Sequence, residues 1–196
     1  MKLLHIFFVS SGISIFTTPI LASAHFTLRG TISENNMMLR TQESHAASIS
    51  ASVDLGTYFQ IGITHREATN NLVGYYLNET TQSYDYSEEK TVSMANSIDL
   101  TIILYDGAIF VPYVQAGVVK KDYIITQAIN QGAADRESYS FPPAPNGGVG
   151  LSVRLNRNFS LDLSYTVSPS AKQKLPTTQA ESAVDSYAAV GIKYDL

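Results

Sequence analysis

The sequence predicts an all-β fold, an eight-stranded antiparallel up-and-down barrel that crosses a membrane. Three observations predict it. Apolar residues recur at every second position through most of the chain, the period of a strand with two unlike faces. The alternating runs are about nine to twelve residues long, longer than the strands of soluble sheets and close to what a tilted strand needs to cross a bilayer. Short and long connections alternate strictly, which in an up-and-down barrel gathers the short ones at one end and the long ones at the other.

Met1-Lys2, an apolar run from Leu3 to Leu21 and the small-x-small site Ala22-Ser23-Ala24 read as a secretory signal peptide over residues 1–24. The remaining residues, 25–196, form one domain. The net charge of −4 becomes −5 without the leader, whose only charge is Lys2, and that balance excludes a nucleic-acid binder. With no Cys in the chain, neither a disulfide framework nor a thiolate metal site is available.

The first strand carries Phe26, Leu28, Gly30 and Ile32 on one face. The second sets Ala47 to Leu55 against Ser48, Ser50, Ser52 and Asp54, and Gly56-Thr57 turns it into the third, where Phe59, Ile61 and Ile63 oppose Gln60, Gly62, Thr64 and Arg66. The fourth runs from Val92 to Ile102, and Asp106-Gly107 is read as a hairpin turn. The fifth is Val111 to Lys120, with Pro112 tolerated near its start. The sixth, Gly148 to Leu155, turns at Asn156-Arg157-Asn158 into the seventh, Ser160 to Val167, and the last runs from Val184 to Leu196. The long connections are then the segments near 34–45, 67–91, 121–146 and 168–183, and both termini fall at the short-turn end.

Alternation does not say which face points outward, and a soluble periplasmic barrel holding an apolar ligand inside keeps the same pattern with its faces inverted. The polar face is rich in Ser, Thr and Gly. It carries Arg29, Arg66, Arg154 and Lys193 against Asp54, Asp99, Asp162 and Asp185, a balanced set that suits a narrow lumen in which charges must pair. Phe26, Phe59, Tyr105, Phe110, Phe159 and Tyr194 all fall near a short turn or a terminus, where an interfacial aromatic girdle is expected.

Three segments resemble a known family. Phe110-Val-Pro-Tyr-Val-Gln-Ala-Gly117, Gly147-Gly-Val-Gly-Leu-Ser-Val-Arg-Leu155 running into Phe159-Ser-Leu-Asp-Leu-Ser-Tyr165, and Gly191-Ile-Lys-Tyr-Asp-Leu196 are similar to eight-stranded outer-membrane barrels of the OmpA, OmpX and OmpW type. The resemblance implies an outer-membrane location, a monomer surrounded by lipid and lipopolysaccharide, and Gly191, Tyr194 and Leu196 as the signal read by the barrel-insertion machinery. Leu196 departs from the Phe or Trp with which that family usually ends.

Catalytic chemistry is sparse. After the leader only His25, His45 and His65 remain, each explained by a rim or lipid-facing position, and spacing selects no triad among the many Ser. No catalytic residue, cofactor or metal ligand is assigned. Glu67, Glu79, Asp85, Glu88 and Glu89 among Tyr75, Tyr76, Tyr84 and Tyr86 could hold a cation or a partner surface, or could be a solvated loop. Tyr139, Phe141 and the run Pro142-Pro143-Ala144-Pro145 in the next long connection are equally open. The expected role is structural or surface-interactive, with a narrow pore and a lipid-directed barrel enzyme as alternatives.

Overall fold

The computed structural model describes residues 23–37, 40–78, 82–130, 132–169 and 184–196. The leader read over residues 1–24 therefore lies outside the described residues except for Ser23 and Ala24. The strands are β1 (Ala24–Met37), β2 (Arg40–Asp54), β3 (Phe59–Asn78), β4 (Ser83–Ile103), β5 (Phe110–Ile129), β6 (Asp135–Ser140), β7 (Ala144–Arg154), β8 (Phe159–Pro169) and β9 (Val184–Asp195). They form one antiparallel sheet in the order β4-β3-β2-β1-β9-β8-β7-β5-β6, closed by pairing of β4 with β5. Eight strands are staves of the barrel. The short β6 pairs with the outer half of β5 where β7, which pairs with the inner half, has ended.

Three of the segments expected to be loops are largely wall. β3 and β4 stay in register from Phe59↔Ile102 out to Asn78↔Ser83; β2 flanks them as far as Gly74 and β5 as far as Ser87, so most of 67–91 is barrel wall and only its tip is a two-stranded ribbon. β1 and β2 stay paired out to Met37↔Arg40, and β5 continues to Ile129. The local pattern misses these extensions because beyond the belt both faces are polar, and the period-two contrast vanishes although backbone pairing continues. Residues 170–183 and Glu79 lie outside the described residues.

The short connections and both termini gather at one end. Leu196 N–H donates to Ala24 O at 3.0 Å and Asp195 N–H to Asn158 O at 2.8 Å, tying the chain ends together beside the 155–158 turn. Gly56 takes φ +133°, which only glycine adopts readily. The turn expected at Asp106-Gly107 is different in kind. It spans residues 104–109, and neither Asp106 nor Gly107 takes the positive φ of a two-residue type I′ hairpin. Arg154 reorganises it, donating from Nη1 to Gly107 O at 2.7 Å and from Nη2 to Asp106 Oδ1 at 2.5 Å.

Burial decides the orientation of the faces. The two most enclosed side chains are Asp162 and Ser160, whereas Leu28 and Ile98 are each 61% exposed. A water-soluble domain buries its apolar atoms; this barrel encloses polar ones and presents the apolar ones outward, as a lipid-facing wall requires. The inverted, soluble arrangement is thereby excluded. Counting outward-facing positions, the apolar stretch runs from Phe59 to His65 on β3 and from Phe110 to Lys120 on β5, a belt about 16–26 Å tall at a tilt near 40°.

Candidate functional site

The candidate site is the lumen, which receives the odd-numbered residues of β1 and β5 and the even-numbered ones of β2, β3 and β8. At the short-turn end, His25 forms a floor. Its Nδ1 lies 2.6 Å from Asp195 Oδ1 and its Nε2 2.8 Å from Asp54 Oδ1, while Gln60 Nε2 donates to Asp54 Oδ1 at 2.9 Å. The rim or lipid-facing position expected for His25 is corrected here: only 7% of the residue is exposed, and it ties β1 to β2 and β9 from inside.

Above the floor a crossbar spans the lumen. Arg29 Nε donates to Asp162 Oδ2 at 2.5 Å and Arg29 Nη1 to Ser50 Oγ at 3.0 Å, while Tyr113 O–H donates to Asp162 Oδ1 at 3.0 Å. Asp162 is thus held from β1 and β5 at once, the environment a buried carboxylate needs to stay charged. Ser50 Oγ meets Thr64 Oγ1 at 3.0 Å, which leads to Asp99; that carboxylate also accepts from Ser97 Oγ at 2.6 Å and Asn146 Nδ2 at 2.8 Å.

Small residues make room for these groups. Arg29 pairs in register with Gly191, Tyr113 with Gly150 and Asp99 with Gly117. A Cβ on Gly191 would stand 2.0 Å from Leu28 O and 2.7 Å from Arg29 Cγ, and one on Gly150 would stand 2.1 Å from the Tyr113 ring. Gly191 therefore has a packing reason in the folded barrel, independent of its expected part in assembly.

Nearer the long-connection end, Lys121 Nζ donates to Asp185 Oδ2 at 2.8 Å and to Pro169 O at 3.0 Å, and Tyr123 O–H donates to the same Asp185 oxygen at 3.0 Å. The Arg66 guanidinium sits 4.7 Å from the centre of the Tyr187 ring. Lys193 Nζ is 3.9 Å from Asp195.

The eight charges expected to form one lumen network thus separate into local groups, and Arg154 leaves the lumen altogether. Its partners are in the 104–109 turn and its side chain is 40% exposed. It lies at the very end of β7, where the wall stops and a long side chain reaches the turn more easily than the axis. Gln60 and Tyr113 lie on the face that the alternation turns inward, although neither is among the charges expected there; His25, Lys121 and Tyr123 were not foreseen as lumen groups. Parity with Gln115 and Gly117 was the signal for Tyr113, and the same parity carried past Lys120 reaches Lys121 and Tyr123.

On the outside, Phe26, Phe59, Tyr105, Phe110, Phe159 and Tyr194 are exposed near the short-turn end, with the Phe159 and Tyr194 rings 5.0 Å apart. His65 also points outward, 2.8 Å from Asn96 Oδ1 and 3.4 Å from Glu67. Among the described residues neither His25 nor His65 hydrogen-bonds to a serine, and no three His, Asp or Glu converge to hold a metal ion.

The closed eight-stranded wall, apolar outside and polar within, defines the class: a membrane-spanning β-barrel of the outer-membrane type. Comparison with solved structures agrees. The chain is similar to the N-terminal β-barrel domain of Pseudomonas aeruginosa OprF, with 15% identity, 89% of this chain and 97% of that one covered, and a TM-score of 0.51. Further matches are Ail, the attachment invasion locus protein of Yersinia pestis (11% identity, 89% and 97% covered, TM-score 0.47), and Neisserial surface protein A (12%, 88% and 95%, 0.45). At these identities the likeness is one of fold. No family model and no curated protein matches the chain.

Proposed function

We propose that this chain is an outer-membrane protein of a Gram-negative cell whose lumen is sealed, and that it acts without catalysis, as a structural element and through its surface-exposed strands. The observation that carries the reading is the crossbar. Arg29, Thr64, Asp99 and Gln115 line both of two internal cavities, of about 40 and 50 Å³, so the polar partition lies between spaces that each hold only a few waters. What extends past the belt is the β3–β4 ribbon, with Tyr75 and Tyr86 in edge contact at 5.6 Å near its tip, a rigid aromatic surface of the kind that offers contact area at small entropic cost.

In this reading the leader is cleaved after Ala24, the barrel-insertion machinery reads Gly191, Tyr194 and Leu196, and the monomer sits among lipid and lipopolysaccharide with Phe26, Phe59, Tyr105, Phe110, Phe159 and Tyr194 as its inner aromatic girdle. Two measurements test it. Cell fractionation with gels of unheated and boiled protein should find a heat-modifiable band in the outer-membrane fraction; a periplasmic, detergent-independent protein would sink the location. Planar-bilayer recording should find no steady conductance. Reproducible single-channel steps that change on Arg29→Gln would replace the sealed lumen with a narrow pore.

A further inference from the structure

The first and last staves close the barrel over its shortest pairing. β1 and β9 share six residue pairs, from His25↔Asp195 to Gly30↔Val190, whereas every other pair of neighbouring staves shares eight or more among the described residues. Beyond Gly30 and Val190 both strands continue, β1 against β2 alone and β9 against β8 alone. A seam with few backbone bonds depends more on the side chains that cross it. At its short-turn end that side chain is His25, buried on β1 between Asp195 on β9 and Asp54 on β2.

Each ring nitrogen faces its own carboxylate oxygen, Nδ1 at 2.6 Å and Nε2 at 2.8 Å. A neutral imidazole has a single N–H. It would set the lone pair of its other nitrogen against a carboxylate at hydrogen-bond distance, whereas an imidazolium donates to both. Gln60 does not replace the second proton: its Nε2 is 3.4 Å from the ring nitrogen and 2.9 Å from Asp54 Oδ1, to which it donates. The charges agree. Besides Asp195, β9 turns Lys193 toward the ring, 3.9 Å from that carboxylate. β3 offers the neutral Gln60, and Arg154 at the end of β7 is held by Asp106. Cleavage after Ala24 would leave the His25 α-ammonium and the Leu196 carboxylate here, one charge of each sign. A charged ring with Lys193 therefore balances Asp54 and Asp195, and a neutral ring leaves the floor one charge negative, which is costly where little water reaches.

We infer that the short-turn end of the β1–β9 seam is a proton-dependent latch, in which a doubly protonated His25 ring joins Asp54 to Asp195 and loss of one proton frees the first stave from the last. The stability that the second proton confers is present while the ring is charged. It is lost as the pH rises through the ring's titration in the folded barrel. The Arg29–Asp162 crossbar lies above the floor and keeps its own partners, so the latch loosens the seam without unsealing the lumen.

The test uses the full mature chain, folded in detergent micelles with isotope-labelled histidine, and reads ring-nitrogen shifts and amide exchange together by NMR. At about pH 7.5 His25 should carry a proton on both ring nitrogens, with its signals told from those of His45 and His65 by His45→Gln and His65→Gln. As the pH rises the ring should lose one proton. Over the same range the protection factors of amides at the paired ends of β1 and β9 should fall about tenfold. The same behaviour should appear in a chain that keeps Ser23 and Ala24, which moves the α-amine, itself titrating near pH 8, away from the ring. In His25→Gln, which cannot titrate, protection should be low and flat with pH, and Asp195→Asn should move the ring's loss of its proton to lower pH. A bare ring nitrogen at about pH 7.5, a proton found on Asp54 or Asp195 instead, or protection that does not follow the ring would overturn the latch. Should His25→Gln fail to fold, the titration of the unaltered chain and of Asp195→Asn decides.

Discussion

Removing the charge of Asp162 is the perturbation that most directly tests how this lumen is held. The Arg29–Asp162 pair is 13% and 2% exposed at its side chains, so solvent screens it little. Asp162→Asn keeps the shape and leaves the guanidinium without its counter-charge. Breaking a buried pair from one side costs about 3–5 kcal/mol. The lower end applies here, because Arg29 keeps its bond to Ser50. For a chain of this size that corresponds to a fall of roughly 6–12 °C in the unfolding midpoint.

Arg29→Met alone should cost a similar amount by stranding Asp162, which among the described residues keeps only its Tyr113 hydroxyl as side-chain donor. The double variant Arg29→Met with Asp162→Asn removes both charges. It should be more stable than the sum of the singles predicts by at least about 1.5 kcal/mol. The chain has no Trp, so urea unfolding in phospholipid vesicles is followed by gel mobility and circular dichroism, with linear extrapolation. Strictly additive variants, or an Asp162→Asn loss below about 1 kcal/mol, would show that the pair is screened like a surface pair and that the crossbar does not hold the barrel.

Gly191→Ala should destabilise by about 3 kcal/mol or more, since its Cβ would meet a backbone oxygen that cannot yield. Gly30→Ala, whose Cβ would be 3.7 Å from its nearest neighbour, should shift stability by less than about 0.5 kcal/mol in the same unfolding series. On the outer wall, Leu163→Arg should cost about 2–4 kcal/mol in vesicles if the belt meets hydrocarbon; a neutral result would deny the belt. His25→Ala should loosen the first and last strands by leaving Asp54 and Asp195 without the ring between them, at about 1–3 kcal/mol. Faster hydrogen exchange at the ends of β1 and β9 checks it, and unchanged exchange there would deny His25 that role.

Much of the fold was legible because a barrel in lipid has two unlike surroundings across one strand, and residues such as Ile61 and Thr64 record which one each position meets. The pairing of short turns with both termini was legible for the same reason, since it follows from connection lengths alone. The lengths of β3, β4 and β5 were not legible, because past His65 and Lys120 the outward positions turn polar, as at Glu67 and Asp122, and the contrast between the two faces no longer marks a strand. Asp106-Gly107 marked the β4–β5 hairpin turn but not its form, because the turn is bound by Arg154, whose position 47 residues away in the chain no local rule contains.

The sequence by itself determined the class of barrel, which residues share a face, and most of the charges bound for the polar interior, with Arg154 included wrongly and Lys121 missed. The tertiary structure alone decided how those charges divide. Which arginine meets which aspartate depends on the stagger between strands, which sets Arg29 opposite Gly191 and brings it to Asp162 on β8, while Arg66 ends over an aromatic ring. Periodicity fixes the side of the sheet but not the height along the barrel axis, and pairing between charges depends on both.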